Sequence, residues 1–489
     1  MNSELVNGDS FRWLILTVSL MLWSGCSLQP LQQQPVNGLG YVEFHKPAPQ
    51  TAGIVIAATH GNTEPVAVDY ATSISNATGA GLIIAHGFRS KRIAITQPLV
   101  RMSSVAAKAT DPRQRGSIYP EFNALLQKAA NGPLKFYVGV RMADEKSSLN
   151  RIEVATSGFT FDELNALKEI FVQIRDHDIK RTHAPRIEIA LDPLDEISWR
   201  VTGVKHHGVL MRAERGLNLR LPASLSENAA RDAYHTILSD WVQLALGMAR
   251  RGSTRFPRIE VMSLEYGRIE LIPSSKQKPG IVIGAPHGTF DVHTERAVRL
   301  ICARSGLAGV VATGFTPTET GGGWRINVNR PTERHVVSSE REIETTRSRK
   351  TYETFKRAVL RAAHGKLDLY IDIHQNSGSR IEVATVGFSK ADARFIKNAY
   401  LALRQQALLG RSDIAEVDLA IEPLDQIEVG GWAAKTNGIL AVATRSLHFE
   451  LSGDGVMASS SHRELYMPVL AELIRQILTR VPHTNSPAG

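Results

Sequence analysis

The sequence predicts an α/β protein of two tandem homologous domains, each a mostly parallel or mixed sheet covered by helices on both faces. Three observations carry that prediction. The stretch "GIVIAATHGNTE" beginning at Gly53 returns as "GIVIGAPHGTFD" beginning at Gly280. Short apolar runs alternate with helix-period segments through both halves, the pattern of strands joined by covering helices. And 489 residues exceed what one ordinary core accommodates.

Taken in order, the chain opens on a segment separate in kind. "FRWLILTVSLMLWSGC" places Arg12 before an apolar stretch of secretory-signal length, short for a membrane span. Its end, Ser24-Gly25-Cys26, resembles a bacterial lipoprotein signal. That resemblance implies a signal peptide over 1–26, a lipid on Cys26 and, with Ser27 next, retention at the outer membrane facing the periplasm. An ordinary signal peptide or anchor is the alternative. Residues 27–38, rich in Gln and Pro, read as a polar tether.

The repeat then runs almost the length of the chain. Residues 53–88 align without gaps onto 280–315, and "RIAITQP" at Arg92 meets "RINVNRP" at Arg325. "GPLKFYVGVR" from Gly132 meets "GKLDLYIDIH" from Gly365, and "RIEVATSGF" at Arg151 meets "RIEVATVGF" at Arg380. "LNLRL" at Leu217 meets "LHFEL" at Leu447, and each copy closes on a long amphipathic segment. The domains are placed at 39–252 and 264–482. In the second copy strands are expected over 281–285, 309–312, 367–373, 417–421, 439–443 and 447–451. Thr160 with Glu163, and Ser389 with Asp392, are spaced as N-caps with an acidic third position that open matching helices.

Composition excludes some partners. A formal charge of +9 is modest for this length, and the basic residues are not massed in runs. No basic patch interleaved with aromatics appears, which argues against nucleic acid and leaves a small anionic substrate easier to accommodate. Only two cysteines are present, Cys26 and Cys302, so no disulfide framework is available and Cys302 is expected to pack in a helix face. The run Gly321-Gly322-Gly323 lacks the lysine and the strand-to-helix setting of a phosphate loop, and is expected to form a flap beside the site.

Polar residues of chemically useful types stand at the ends of expected strands of the second copy, where open α/β sheets gather their function. His287 follows the strand 281–285, with Asp291 four residues on; His374 ends "LDLYIDIH". Two imidazoles and a carboxylate, with water in the fourth position, form the usual catalytic zinc set. Glu450 ends "LHFEL", where a carboxylate beside such a water serves as general base and acid. Arg325, Asn329 and Arg330 lie between, types that grip a substrate carboxylate or polarise a scissile carbonyl.

The order His-x-x-x-acid, Asn-Arg, Asp-x-His on a strand and Glu on a late strand resembles the zinc carboxypeptidase-like superfamily. Within it, the chain is most similar to the N-formylglutamate amidohydrolases, succinylglutamate desuccinylases and poly-γ-glutamate hydrolases. The resemblance covers about 280–455, and weakly the first copy. It implies an eight-stranded mixed sheet between helices, one zinc, and hydrolysis of an amide beside a carboxylate. His287, Asp291 and His374 would hold the metal, Glu450 would activate the water, Asn329 and Arg330 would bind the substrate carboxylate, and Arg325 would steady the oxyanion. The family spaces its first ligands as His-x-x-Glu, one residue closer than here. Asp291 is preferred as second ligand because the first copy keeps Glu64 at that position, with His293 and Glu295 as substitutes.

The first copy has diverged. His60, Glu64 and Arg92 survive, whereas Arg141 stands opposite His374, Gln97 opposite Arg330, Thr96 opposite Asn329 and Arg220 opposite Glu450. A guanidinium has no acceptor and does not deprotonate, so it neither binds zinc nor serves as a base. Arg141 or Arg220 is expected to pair with Glu64 in place of the lost cation, leaving a salt-bridged relic or a weak anion site. For the whole chain the alternative to a metallohydrolase is a non-catalytic envelope protein that uses both copies as binding scaffolds.

Overall fold

The computed structural model describes residues 31–36, 40–88, 95–97, 118–143, 149–199, 201, 203–251, 259–274, 278–336 and 341–480. The first copy contains β1 (Gln32–Val36), β2 (Gly40–His45), β3 (Ile54–Ala58), β4 (Gly81–His86), β5 (Phe136–Met142), β6 (Arg151–Ser157), β7 (Glu188–Asp192) and β8 (Arg215–Leu221). Its long helices are α1 (Pro65–Thr78), α2 (Tyr119–Ala130), α3 (Phe161–Thr182) and α4 (Asn228–Arg251). The second copy contains β9 (Glu260–Leu264), β10 (Gly267–Ile272), β11 (Ile281–Ala285), β12 (Ala308–Gly314), the small hairpin β13 (Trp324–Ile326) and β14 (Glu333–His335), β15 (Leu369–Asn376), β16 (Ile381–Val386), β17 (Leu419–Ile421) and β18 (Arg445–Ser452). Its long helices are α5 (Thr294–Ser305), α6 (Thr346–Ala362), α7 (Lys390–Ala407) and α8 (Ser460–Arg480).

Among the described residues each copy builds one eight-stranded mixed sheet, and the strand orders coincide. The first runs β1-β2-β4-β3-β5-β8-β6-β7 and the second β9-β10-β12-β11-β15-β18-β16-β17. In the second, β12, β11, β15 and β18 are mutually parallel neighbours, β10 runs antiparallel to both β9 and β12, and β16 runs antiparallel to β18 but parallel to β17. The carboxyl ends of the parallel strands therefore share one edge of the sheet, as the sequence reading requires.

Why these runs become strands is visible in β11. Ile281, Ile283 and Ala285 pack beneath α5, α7 and α8, while Val282 faces the core under α6. Alternate residues enter opposite cores, so the strand is apolar throughout. Each fully buried Ile or Val contributes about 1.5–3 kcal/mol of transfer free energy. Ile54, Ile56 and Ala58 against Val55 and Ala57 repeat the division in the first copy. The expected caps also form: Thr160 with Glu163 and Ser389 with Asp392 are reciprocal capping boxes. Cys302 is buried, and burial pushes its thiol up to about 12.

Three expectations need correction. Gln32–Val36, inside the segment read as a tether, is β1, paired antiparallel with β2. Likewise β9 begins at Glu260, ahead of the expected domain start at 264, and belongs to the second sheet. The apolar run 439–443 is not a strand but begins with a single 3-10 turn, Ile439–Ala441, in which Ile439 donates to the Asn329 carbonyl and buries its side chain under α6. The Gly321–Gly323 run forms a turn into β13, each glycine at positive φ. The 1–26 segment and Cys26 lie outside the described residues, as does Arg92. Among the described residues, no helix is long and apolar enough to cross a membrane.

Candidate metal centre

The strand β11 ends in a turn that folds Asp291 back over His287. Asp291 donates its backbone N–H to the His287 carbonyl (2.7 Å), and Gly288 ties the turn to β12 by donating to the Ala312 carbonyl (2.9 Å). Asp291 is in turn joined to the first turn of α5, since Thr294 donates both its N–H (3.2 Å) and its hydroxyl (2.7 Å) to the Asp291 carbonyl. His374 comes from the end of β15, two strands' width from β12. The three side chains converge. His374 Nδ1 lies 2.9 Å and His287 Nδ1 3.5 Å from Asp291 Oδ2, and the two imidazole rings meet edge to face at 4.8 Å.

Two residues to which the sequence analysis assigned no role complete the arrangement. Asp372 is fully buried; its Oδ2 lies 2.9 Å from His374 Nε2, 3.2 Å from His448 Nδ1 and 3.4 Å from Asn329 Nδ2, and its Oδ1 accepts from the Tyr370 hydroxyl at 3.0 Å. His448 Nε2 reaches Glu450 Oε1 at 3.1 Å. The register explains the cluster: Asp372 pairs across the ladder with His448, and His374 with Glu450. Residues two apart on one strand face the same side, so "DIH" and "HFE" present four polar groups as one patch. That period-2 pattern was the available signal.

The electrostatics follow from this burial. Burial pushes His287 down to about 4, against the pull of Asp291, so it is neutral at neutral pH. Burial would raise Asp291, yet hydrogen bonds from His287 and His374 hold it below the ordinary carboxylate range. His374 is opposite: burial disfavours its charge, but Asp372 and Asp291 on its two nitrogens raise it well above the usual imidazole value.

The donor set fits a divalent metal. Two imidazole nitrogens and one carboxylate oxygen lie within 4.8 Å of one another, the N/O set of a catalytic zinc site. Asp372 then takes the place of the outer carboxylate that fixes a ligating histidine's tautomer. A second grouping, Asp372 with His374 and His448, meets the same distance criterion. It is less suited, because the Asp372 oxygens already serve four donors. His293 and Glu295 are not part of either set: Glu295 faces Lys205 and His206 of the first domain.

A cavity of about 340 Å³ opens over the centre, lined by His287, Asp291, Arg325, Arg330, His374 and Glu450 among others. Two aromatic side chains stand at it exposed, Phe290 at 47% and Trp432 at 76%. Arg325 packs its guanidinium 4.3 Å from the Phe290 ring centre and donates to Asn327 (3.3 Å), while its buried Nε has no partner among the described residues. The expectation that Asn329 and Arg330 face a substrate carboxylate is altered. Asn329 spends its amide behind His374, on Asp372, and Arg330 grips Glu342 through Nε (2.8 Å) and Nη2 (2.5 Å). Its Nη1 donates to Asn329 Oδ1 at 3.1 Å.

In the first copy the same patch reads Gly139, Arg141, Asn218 and Arg220, paired in the same register. Arg220 donates to Ser198 (3.0 Å) and lies 3.5 Å from Glu153, so it is not the partner expected for Glu64. Arg141 lies over the Trp199 ring, and Glu64 accepts from the Met142 N–H at 2.7 Å.

No family description matches the chain, and no curated protein matches it. Among solved structures it is similar to a metallo-carboxypeptidase from Burkholderia cenocepacia, 12% identical over 49% of this chain and 69% of that one, with a TM-score of 0.27. It is also similar to succinylglutamate desuccinylase from Vibrio parahaemolyticus, 15% identical over 47% of this chain and 69% of that one, with a TM-score of 0.25.

Proposed function

We propose that the second domain is a zinc-dependent hydrolase that cleaves an amide bond next to a carboxylate, in an N-acyl amino acid or a peptide. The observation that carries this reading is the convergence of His287 Nδ1, Asp291 Oδ2 and His374 Nδ1 at the floor of a cavity that also holds Glu450. Zinc held there would act as a Lewis acid on the scissile carbonyl and lower the pKa of the attacking water.

The chain's own residues supply the remaining steps. Glu450 takes the proton from the attacking water and delivers it to the leaving amine. His448, held by Asp372, keeps the Glu450 carboxylate aimed. Arg325 presents an unpartnered buried N–H to the developing oxyanion. With Glu342 covering one edge of Arg330, the substrate carboxylate is met by the positive potential of Arg325 and the remaining edge of Arg330. Lipidation of Cys26 would anchor the protein at the outer membrane with this site in the periplasm. No nucleic acid partner is proposed.

The test is metal content and turnover together. Purified protein should hold about one zinc per chain, lost in His374→Ala, and should hydrolyse N-acyl glutamates, γ-glutamyl polymers or cell-wall peptides in a chelator-sensitive manner. A folded protein that takes up no zinc would favour the alternative of a non-catalytic binding scaffold.

A further inference from the structure

The two copies differ most instructively where they touch. In the second copy Lys435 pairs with Glu422, within its own domain. The equivalent Lys205 keeps the equivalent pair, Asp192, at 2.8 Å, and then reaches 2.9 Å across to Glu295 Oε1 of the second domain. The next two residues also cross. His206 Nε2 lies 3.0 Å from the same Glu295 oxygen, and His207 pairs with Glu319. In the second copy these positions are Thr436 and Asn437, and opposite Glu295 and Arg299 the first copy has Val68 and Thr72. Apart from the shared lysine, these ionisable groups are therefore present only on the two faces that meet.

Both targets lie on segments that connect to the site. Glu295 is in the first turn of α5, four residues after Asp291, and that turn holds Asp291 through Thr294. Glu319 lies in the one-turn helix Pro317–Thr320, which leads into β13 and Arg325. Lys205, His206 and Glu295 are all buried, and the charge continues inward from Glu295 to Arg299, Glu270 and Arg268. Arg268 ends the chain of charges by donating back to the first domain's Leu210 and Ala213 carbonyls (3.1 and 2.8 Å). Burial alone would raise the Glu295 carboxyl; Lys205 and His206 hold it well below the usual range instead. Buried ion pairs of this kind add little net stability.

We propose that the first domain is a positioning subunit of the second domain's metal centre: Lys205 and His206 clamp Glu295 and so set Asp291, while His207 clamps Glu319 and so sets Arg325. This rests on the zinc reading of the centre. It gives the copy that lost its own ligands a task that does not require them.

The full-length chain carrying Lys205→Met with His206→Gln tests the proposal. Zinc affinity, read by competition with a chelator, should fall about tenfold or more, the range for groups that orient ligands. Hydrogen exchange at residues 291–298 of the metal-free, folded protein should quicken. A lower unfolding midpoint with unchanged zinc affinity and unchanged exchange would show mere interdomain adhesion and overturn the proposal. If the double variant does not fold, Glu295→Gln, which keeps the shape and removes the charge, carries the same readouts. If the wild-type chain takes up no zinc, the hydrolase reading fails by itself, and the exchange comparison still decides whether the clamp orders this turn.

Discussion

Replacing Asp372 with asparagine isolates what one buried charge does for the centre. The carboxylate is met on Oδ2 by His374, His448 and Asn329 and on Oδ1 by the Tyr370 hydroxyl. An asparagine oxygen can stay with the first three, and its NH2 can donate to Tyr370, whose hydroxyl accepts as readily as it donates. The exchange therefore removes charge with little change of shape. Outer carboxylates of this kind are worth about 10–100-fold in metal affinity, or about 1.4–2.8 kcal/mol. Asp372→Asn should then weaken zinc by that factor in a chelator competition, and lower kcat as well, because His448 no longer holds Glu450 through a charged anchor. Zinc affinity within twofold of wild type in a folded variant would refute the assignment of Asp372 as the group that orients His374.

Further outcomes follow from the same geometry. Since Asp372 and Asp291 raise His374 well above its ordinary value, the metal-free chain carries that proton at neutral pH. Zinc uptake should release about one proton, so apparent affinity rises with pH above neutrality; calorimetry in two buffers of different ionisation heat measures it, and zero release would contradict the assignment. His287 and His293 are both pushed by burial to about 4. The unfolded chain takes up their protons near 6.5 and the folded chain holds off until about 4, so this share of metal-free stability is lost as pH falls through that window. Denaturant melts at pH 7, 5.5 and 4.5 should show the decline, less steeply in His293→Gln. Arg325→Gln should lower kcat by about 10²–10³ with a smaller change in KM if it serves the oxyanion; a change confined to KM would make it a carboxylate contact instead.

Much of this architecture was legible because its causes are local or periodic. The strand around Ile283, the His-Gly turn and the capping boxes at Thr160 and Ser389 each follow from residue type and spacing. What escaped lacked such a signature. Gln32 to Pro35 are exposed, so β1 shows none of the apolar alternation by which a half-buried strand is recognised. Five apolar residues at 439–443 are too few to separate strand from turn, and the bond from Ile439 to Asn329 that decides the matter spans more than a hundred positions. Asp372 and His448 were present in the quoted strings, but their use depends on the alignment of β15 with β18. The hold of Glu342 on Arg330 and of Lys205 on Glu295 belongs to tertiary contact alone.

The pairing of Gly139 with Asn218 bears on history. A Cβ placed on Gly139 would lie 2.3 Å from the Asn218 side-chain oxygen, so an aspartate cannot return there, opposite its counterpart Asp372, until Asn218 moves or is replaced. Arg141 and Arg220 would still deny the copy a ligand and a base. Recovery thus needs several substitutions together, no one of which confers activity by itself. Divergence at this patch behaves as a ratchet, and selection on the first copy is left to act on the surface it turns toward its twin.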